Sequence, residues 1–211
     1  MSINLSKGQN ICLDKTEVNV NQIQVGLGWD IKADSTVKDE FDLDVFGIIV
    51  DQNDKGATEE NLFFYNNVDG KGTKSTDAYA GVTDINGRAK EILKTSVIVP
   101  TKDNLTGEGD GDDETMFINA SLLTKDKKAI IVVNIYEADK RKQAFGIVNN
   151  SYARILSVDG SEFCRYDLKE DFSIESGVII GEIYWSGEEV KIRAIGKGFS
   201  GDLNALFSQY K

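Results

Sequence analysis

Apolar and polar residues alternate with a period of two along most of this chain, a spacing that suits strands and rules out a helical fold. Ile23, Val25, Leu27 and Trp29 share one face of IQVGLGW. Phe41, Leu43 and Val45 do the same in FDLDV, with Asp42 and Asp44 on the opposite face. NLFFY (61–65), TMFINA (115–120), KAIIVVNIY (128–136), YARILSV (152–158), EFCRYDL (162–168), GVIIGEIYW (177–185) and VKIRAIG (190–196) follow, divided by Gly, Asn and Asp turn signals. AIIVVNIY is apolar on both faces and is expected to be a central buried strand. At least nine strands with little helical periodicity predict an all-β fold, a two-sheet β-sandwich. One short C-terminal helix is expected, with Asp202 as N-cap and Leu203, Leu206, Phe207 and Tyr210 along one side. Residues 69–95 are richer in Gly, Thr and Lys, carry at most one short helical turn pattern around RAKEIL, and read as an inserted loop region or small subdomain on the rim. The 211 residues are expected to form a single domain over 1–211.

KDNLTGEGDGDDE (102–114) gathers six carboxylates, from Asp103, Glu108, Asp110, Asp112, Asp113 and Glu114, among Gly107, Gly109 and Gly111. Two unit charges about 5 Å apart repel by roughly 3 kcal/mol at an effective dielectric near 20, so a compact loop of this kind calls for a counter-charge. The glycines free the backbone to turn carbonyl oxygens inward, and carbonyl plus carboxylate oxygen is the ligand set that calcium prefers. The spacing is not that of an EF-hand: from Asp103, Leu105 and Gly107 fall where that loop needs Asp or Asn. Further oxygen donors lie at the ends of expected strands: Asp30, the pair Asp42 and Asp44, Asn66 and Asn67, Glu137 and Asp139.

Composition narrows the chemistry. Acids outnumber bases 35 to 24 for a net charge of −11, which favours cations as partners and disfavours nucleic acid and anionic membranes. Histidine is absent and there are two cysteines, Cys12 and Cys164, so histidine-based nucleophile arrangements and zinc sites are excluded and no disulfide framework is expected. The opening MSINLSKGQN lacks a signal pattern and the longest apolar run is AIIVV, so a cytoplasmic location without direct membrane insertion is expected.

The blocks SINLSKGQNICL, VGLGWD, FDLDV, FFYNN, DNLTGEGDGDDE, IYEADKRKQAFG, RYDL and GKGFSGDL, in this order from residue 2 to about 203, resemble the TerD family of tellurium-resistance and general-stress proteins. Two departures stand out: the stretch near 70–95 is longer than the short link expected after FYNN, and Glu137 stands where the family carries Asp. The resemblance implies a β-sandwich, calcium as the bound ion at adjacent sites, no established catalysis, and action beside other tellurite-resistance or stress proteins, some of them membrane-associated. It also implies ligands from Asp42, Asp44, Asn66, Asn67, Asp103, Asn104, Asp110, Asp112, Asp113 and Glu114, with backbone oxygens near Gly107, Gly109 and Gly111. Asp30, Glu137 and Asp139 rank second.

The expected function is thus a calcium-binding stress-response module, in which ions order an acidic loop end that presents a protein-interaction surface. Two alternatives are a carboxylate- or metal-assisted hydrolase and a calcium-dependent carbohydrate-binding sandwich using Trp29, Tyr65, Tyr136, Tyr152 or Trp185 as stacking faces.

Overall fold

The computed structural model describes residues 3–5, 12–13, 22–30, 40–108, 111–157 and 159–211. Its strands are β1 (Ile3–Leu5), β2 (Cys12–Leu13), β3 (Ile23–Gly28), β4 (Leu43–Asp51), β5 (Leu62–Phe63), β6 (Ile98–Pro100), β7 (Glu114–Ile118), β8 (Lys127–Ile135), β9 (Tyr152–Leu156), β10 (Glu162–Asp167), β11 (Gly177–Ser186) and β12 (Glu189–Phe199). They form two six-stranded sheets, ordered β1-β10-β9-β3-β7-β6 and β2-β12-β11-β8-β4-β5. The β1–β10 pair is parallel and the other described pairs are antiparallel. The expected two-sheet architecture is present.

The main core lies between the sheets, where alternate residues of facing strands interdigitate. Along β4, Leu43, Val45 and Ile49 enter that core, while Phe46, Ile48 and Val50 point the other way. β8 behaves likewise, with Ile131 and Val133 inward and Ile130 and Val132 outward. The outward set is covered by the C-terminal helix α5 (Leu203–Tyr210), through Leu206 and Phe207. This explains why both strands read as apolar on each face. The Asp202 side chain accepts from the Ala205 N–H at 2.8 Å, giving the helix the expected cap.

Residues 69–95 form two short helices, the second over the expected RAKEIL pattern and the first without a signal of its own. They contain α1 (Ser75–Ala78) and α2 (Ile85–Ile92), which place Tyr79, Ala89 and Leu93 over Val99 and Phe117 on the outer face of β6 and β7. The Tyr79 hydroxyl fixes the segment by donating to the Pro100 carbonyl at 2.7 Å. Helices of four and eight residues show too few turns for a periodic signal, although Ile85, Ala89, Ile92 and Leu93 do share a helical face. β6, α3 (Ala138–Arg141) and α4 (Leu168–Asp171) are also short elements without a sequence pattern of their own.

Register brings the acidic residues to one end. Leu43 pairs with Ile135 and Asp44 with Asn134, so the start of β4 adjoins the end of β8. Leu27 pairs with Glu114, so β7 begins beside the end of β3. The two sheets are joined there by a buried contact, the Val45 N–H donating to Glu114 Oε2 at 3.1 Å.

If α5 completes the fold, Phe207→Ala should lower unfolding stability by about 3 kcal/mol, the usual cost of emptying an aromatic core position. Urea denaturation followed by tryptophan fluorescence reads this, and an unchanged midpoint would make α5 a dispensable appendage.

Candidate metal centre

Asp42, Asp44 and Asp103 converge: each offers a carboxylate oxygen, and these oxygens lie within 4.8 Å of one another. The first two come from the entry of β4, the third from the 101–113 loop leading into β7. They line a cleft of about 310 Å³ closed by Tyr65, Leu105, Tyr136 and Arg141. Contrary to what a half-exposed strand would give, Asp44 is only 2 % exposed, because α5 and β5 cover that face of β4.

Glu114 backs the cluster. Fully buried, it accepts from Val45 N–H and, through Oε1, from Asn104 N–H at 3.2 Å. Burial raises the Asp103 carboxyl, opposed by its neighbour Glu114. Burial pushes Asp42 up to about 6, helped by the Asp103 charge and opposed by Arg141. Burial, followed by neighbouring carboxylates, holds Asp44 and Glu114 well above the ordinary carboxylate range. The Arg141 guanidinium lies 3.8 Å from Asp42 and donates to the Glu40 carbonyl at 3.2 Å, too distant and too shared to neutralise three acids.

Asp44 Oδ2 and Asp103 Oδ1 are buried and have no hydrogen-bond partner. An unmet buried carboxylate oxygen costs its full desolvation penalty. The donor set is all oxygen, anionic, and partly carried on a loop, the chemistry of a hard divalent cation such as calcium. The residues present therefore fit the ion that the family resemblance implies.

The remaining sequence candidates have other surroundings. Asp112 pairs with Arg154 at 2.9 Å and accepts from the Tyr152 hydroxyl at 3.0 Å. Asp113 accepts from Trp29 N–H at 2.8 Å, and burial raises its pKa, with Asp112 and Asp30 adding to the rise. Asn104 Oδ1 accepts from Thr106 and Gly107 N–H, each at 3.2 Å, and folds the loop on itself. Gly107, at φ 66°, packs on Trp29 so closely that a Cβ would lie 2.4 Å from the indole nitrogen. That indole donates to the Phe41 carbonyl at 3.2 Å, tying the loop to the start of β4.

Asp30 accepts from Asn150 Nδ2 at 2.7 Å, and Glu137 is ion-paired with Lys140 at 2.8 Å. Asn67 donates to the Leu62 and Glu59 carbonyls and accepts from Gly72 N–H, acting as a turn clamp. Asn66 and Asp139 line neighbouring clefts. Gly111 is exposed at φ 93°, and Gly109 and Asp110 lie outside the described residues. Arg141 and Asn134 were not sequence candidates: both sit in ordinary strand-end text, IYEADKR and VVNIY, and only the register brings them to the acids.

The fold and the cleft together define a β-sandwich with an acidic, all-oxygen pocket at the end where its two sheets are pinned together. The chain belongs to the TerD family, whose TerD domain model matches residues 1–210. It is 37 % identical over 212 aligned positions to the tellurium resistance protein TerD of Serratia marcescens, covering 100 % of this chain and 97 % of that protein. General stress protein 16U of Bacillus subtilis (strain 168) is also 37 % identical, with the same coverage of 100 % and 97 %. The crystal structure of a homologue of telluride resistance protein from Streptomyces coelicolor A3(2) shares the fold, with a TM-score of 0.63 at 14 % identity over 88 % of this chain and 94 % of that one.

Because Asp42 is raised from 3.8 to about 6, the metal-free folded state keeps a proton that the unfolded chain releases across this window. Stability should therefore fall as pH rises from about 4 to 6, with Asp42 contributing about 2–3 kcal/mol of the drop. Guanidinium denaturation in chelator at pH 4 and 7 measures it. Asp42→Asn should flatten the dependence, and an equal slope in the variant would place the titration elsewhere.

Proposed function

We propose that this TerD-family protein is a calcium-binding stress-response module in which Asp42, Asp44 and Asp103 hold the ion and Glu114 supports them. The observation that carries this reading is the pair of buried, partnerless oxygens, Asp44 Oδ2 and Asp103 Oδ1, in a convergent group of carboxylates. Calcium would supply the positive charge that the pocket lacks, and the chain's own residues do the rest. Asn104 and Gly107 fold the loop so that Asp103 faces β4, and Glu114 anchors both loop and strand.

Bound charge favours the ionised form of every nearby acid, so it removes the repulsion that opposes a closed loop. The ordered end then presents Leu105, 59 % exposed, and Tyr136 beside the pocket mouth. Exposed apolar side chains on a rim of this kind suit contact with another protein. The partners proposed are other tellurite-resistance or stress proteins in the cytoplasm, in line with the names of the relatives. Among the described residues, no helix is long and apolar enough to cross a membrane. The sugar-binding alternative is weakened at one stacking face, since the Arg141 guanidinium already lies 4.9 Å from the Tyr136 ring centroid.

Calcium at 100 times its dissociation constant should stabilise the fold by about 2.7 kcal/mol, raise the melting midpoint, and lose the effect on adding chelator. Asp44→Asn should abolish most of the rise while leaving the protein folded in chelator, because it neutralises a buried charge. A midpoint indifferent to calcium in the wild type would rule the reading out.

A further inference from the structure

A second cleft, of about 460 Å³, lies on the other side of Asp44, between β5, the end of β8 and the start of α5. Phe46, Leu62 and Phe64 give it an apolar bed, and Leu203 of α5 stands at its side. Asp44 and its cross-strand partner Asn134 lie among its lining residues. Asn134 is 4 % exposed; its Nδ2 donates to the Ile135 carbonyl at 3.3 Å, whereas its Oδ1 is buried without a partner. A cation in the acidic pocket satisfies Asp44 and leaves Asn134 Oδ1 unmet, so this acceptor needs a separate donor.

The rest of the cleft narrows what that donor can be. Glu137, Asp139 and Asp202 give it an acidic margin, and Lys140, the one base among its described lining residues, is committed to Glu137. Two buried acceptors of this lining, Asn134 Oδ1 and Asp44 Oδ2, have no donor, and beside an acidic margin they favour a positively charged ligand. The apolar bed and the volume exceed what a bare hard ion uses, but they suit a hydrocarbon stem, with Tyr65 as a further aromatic wall.

We propose that this cleft binds the ammonium end of an alkylamine, with Asn134 Oδ1 and Asp44 Oδ2 accepting its N–H groups and Phe46, Leu62 and Phe64 seating its stem. Such a group could come from a free polyamine or from a lysine side chain of a partner protein, since both present a primary ammonium on a flexible methylene chain. The site shares Asp44 Oδ2 with the calcium reading, so the two ligands compete for that oxygen, whereas Asn134 Oδ1 belongs to this cleft alone.

The test is calorimetric titration of the full chain, in chelator and at low ionic strength, with n-pentylammonium chloride against 1-pentanol as the neutral control. Saturable single-site binding of the amine and not the alcohol is expected. Asn134→Leu should weaken the amine by about tenfold or more, the worth of a hydrogen bond to a charged group. Leu203→Trp, which obstructs the cleft without touching Asn134, should block it independently if the first variant folds poorly. Absence of saturable binding to the wild type, or undiminished binding in both variants, would overturn the proposal. Calcium titration of the same proteins keeps the two readings apart, because both variants should retain calcium binding whether or not the amine binds. Spermidine and an acetylated, amidated pentapeptide with one central lysine then distinguish the sources by which binds more tightly.

Discussion

Buried carboxylate charge where the two sheets meet is the constraint on which this molecule turns. Glu114 sits inside the protein with both oxygens engaged by backbone N–H groups, one from β4 and one from the acidic loop. Asp44 lies beside it with an oxygen that nothing meets. Removing an ionised carboxylate from water without pairing it costs several kcal/mol, so such groups either take up a proton or find a cation. Burial raises the Asp42, Asp44 and Glu114 carboxyls, the direction in which either remedy is favoured over a bare charge.

The fold makes the burial unavoidable. β4 lies between β8 and β5 and is roofed by α5, so even its polar entry residues lose solvent. The loop before β7 is tied back to Glu114 through the Asn104 N–H and to Trp29 through Asp113, and these residues in turn reach the β4 segment, Glu114 at the Val45 N–H and the Trp29 indole at the Phe41 carbonyl. Each local contact that stabilises the sandwich end therefore also presses the acids together. Under the proposed calcium reading, a cation among these acids would favour the closed loop.

Much of the scaffold was legible in the sequence because alternation is a local property: β3, β4, β8, β11 and β12 all follow patterns that one sheet face imposes on the chain. The α1–α2 segment was legible only as a short helical pattern around RAKEIL, since its helices are shorter than the window over which periodicity accumulates and pack on Val99 and Phe117. Within the acidic run, the sequence displays six carboxylates but not their destinations. Asp112 turns to Arg154, Asp113 to the Trp29 backbone, and Asp103 and Glu114 to β4. Neighbours in sequence fall on opposite sides of an extended chain, so charge density in the text does not measure charge density in space. Asn134 and Arg141 reach the site only through strand register and a tight turn, long-range facts with no local signature.

The account is tested most directly by carbon-detected NMR titration of the side-chain carboxyls, with and without saturating calcium. In chelator the Asp42 resonance should titrate near 6 and Asp44 and Glu114 higher than ordinary acids; with calcium all of them should stay ionised to well below pH 4. Identical titration curves in the two conditions would contradict it, for the buried acids would then be no counterpart to a bound ion.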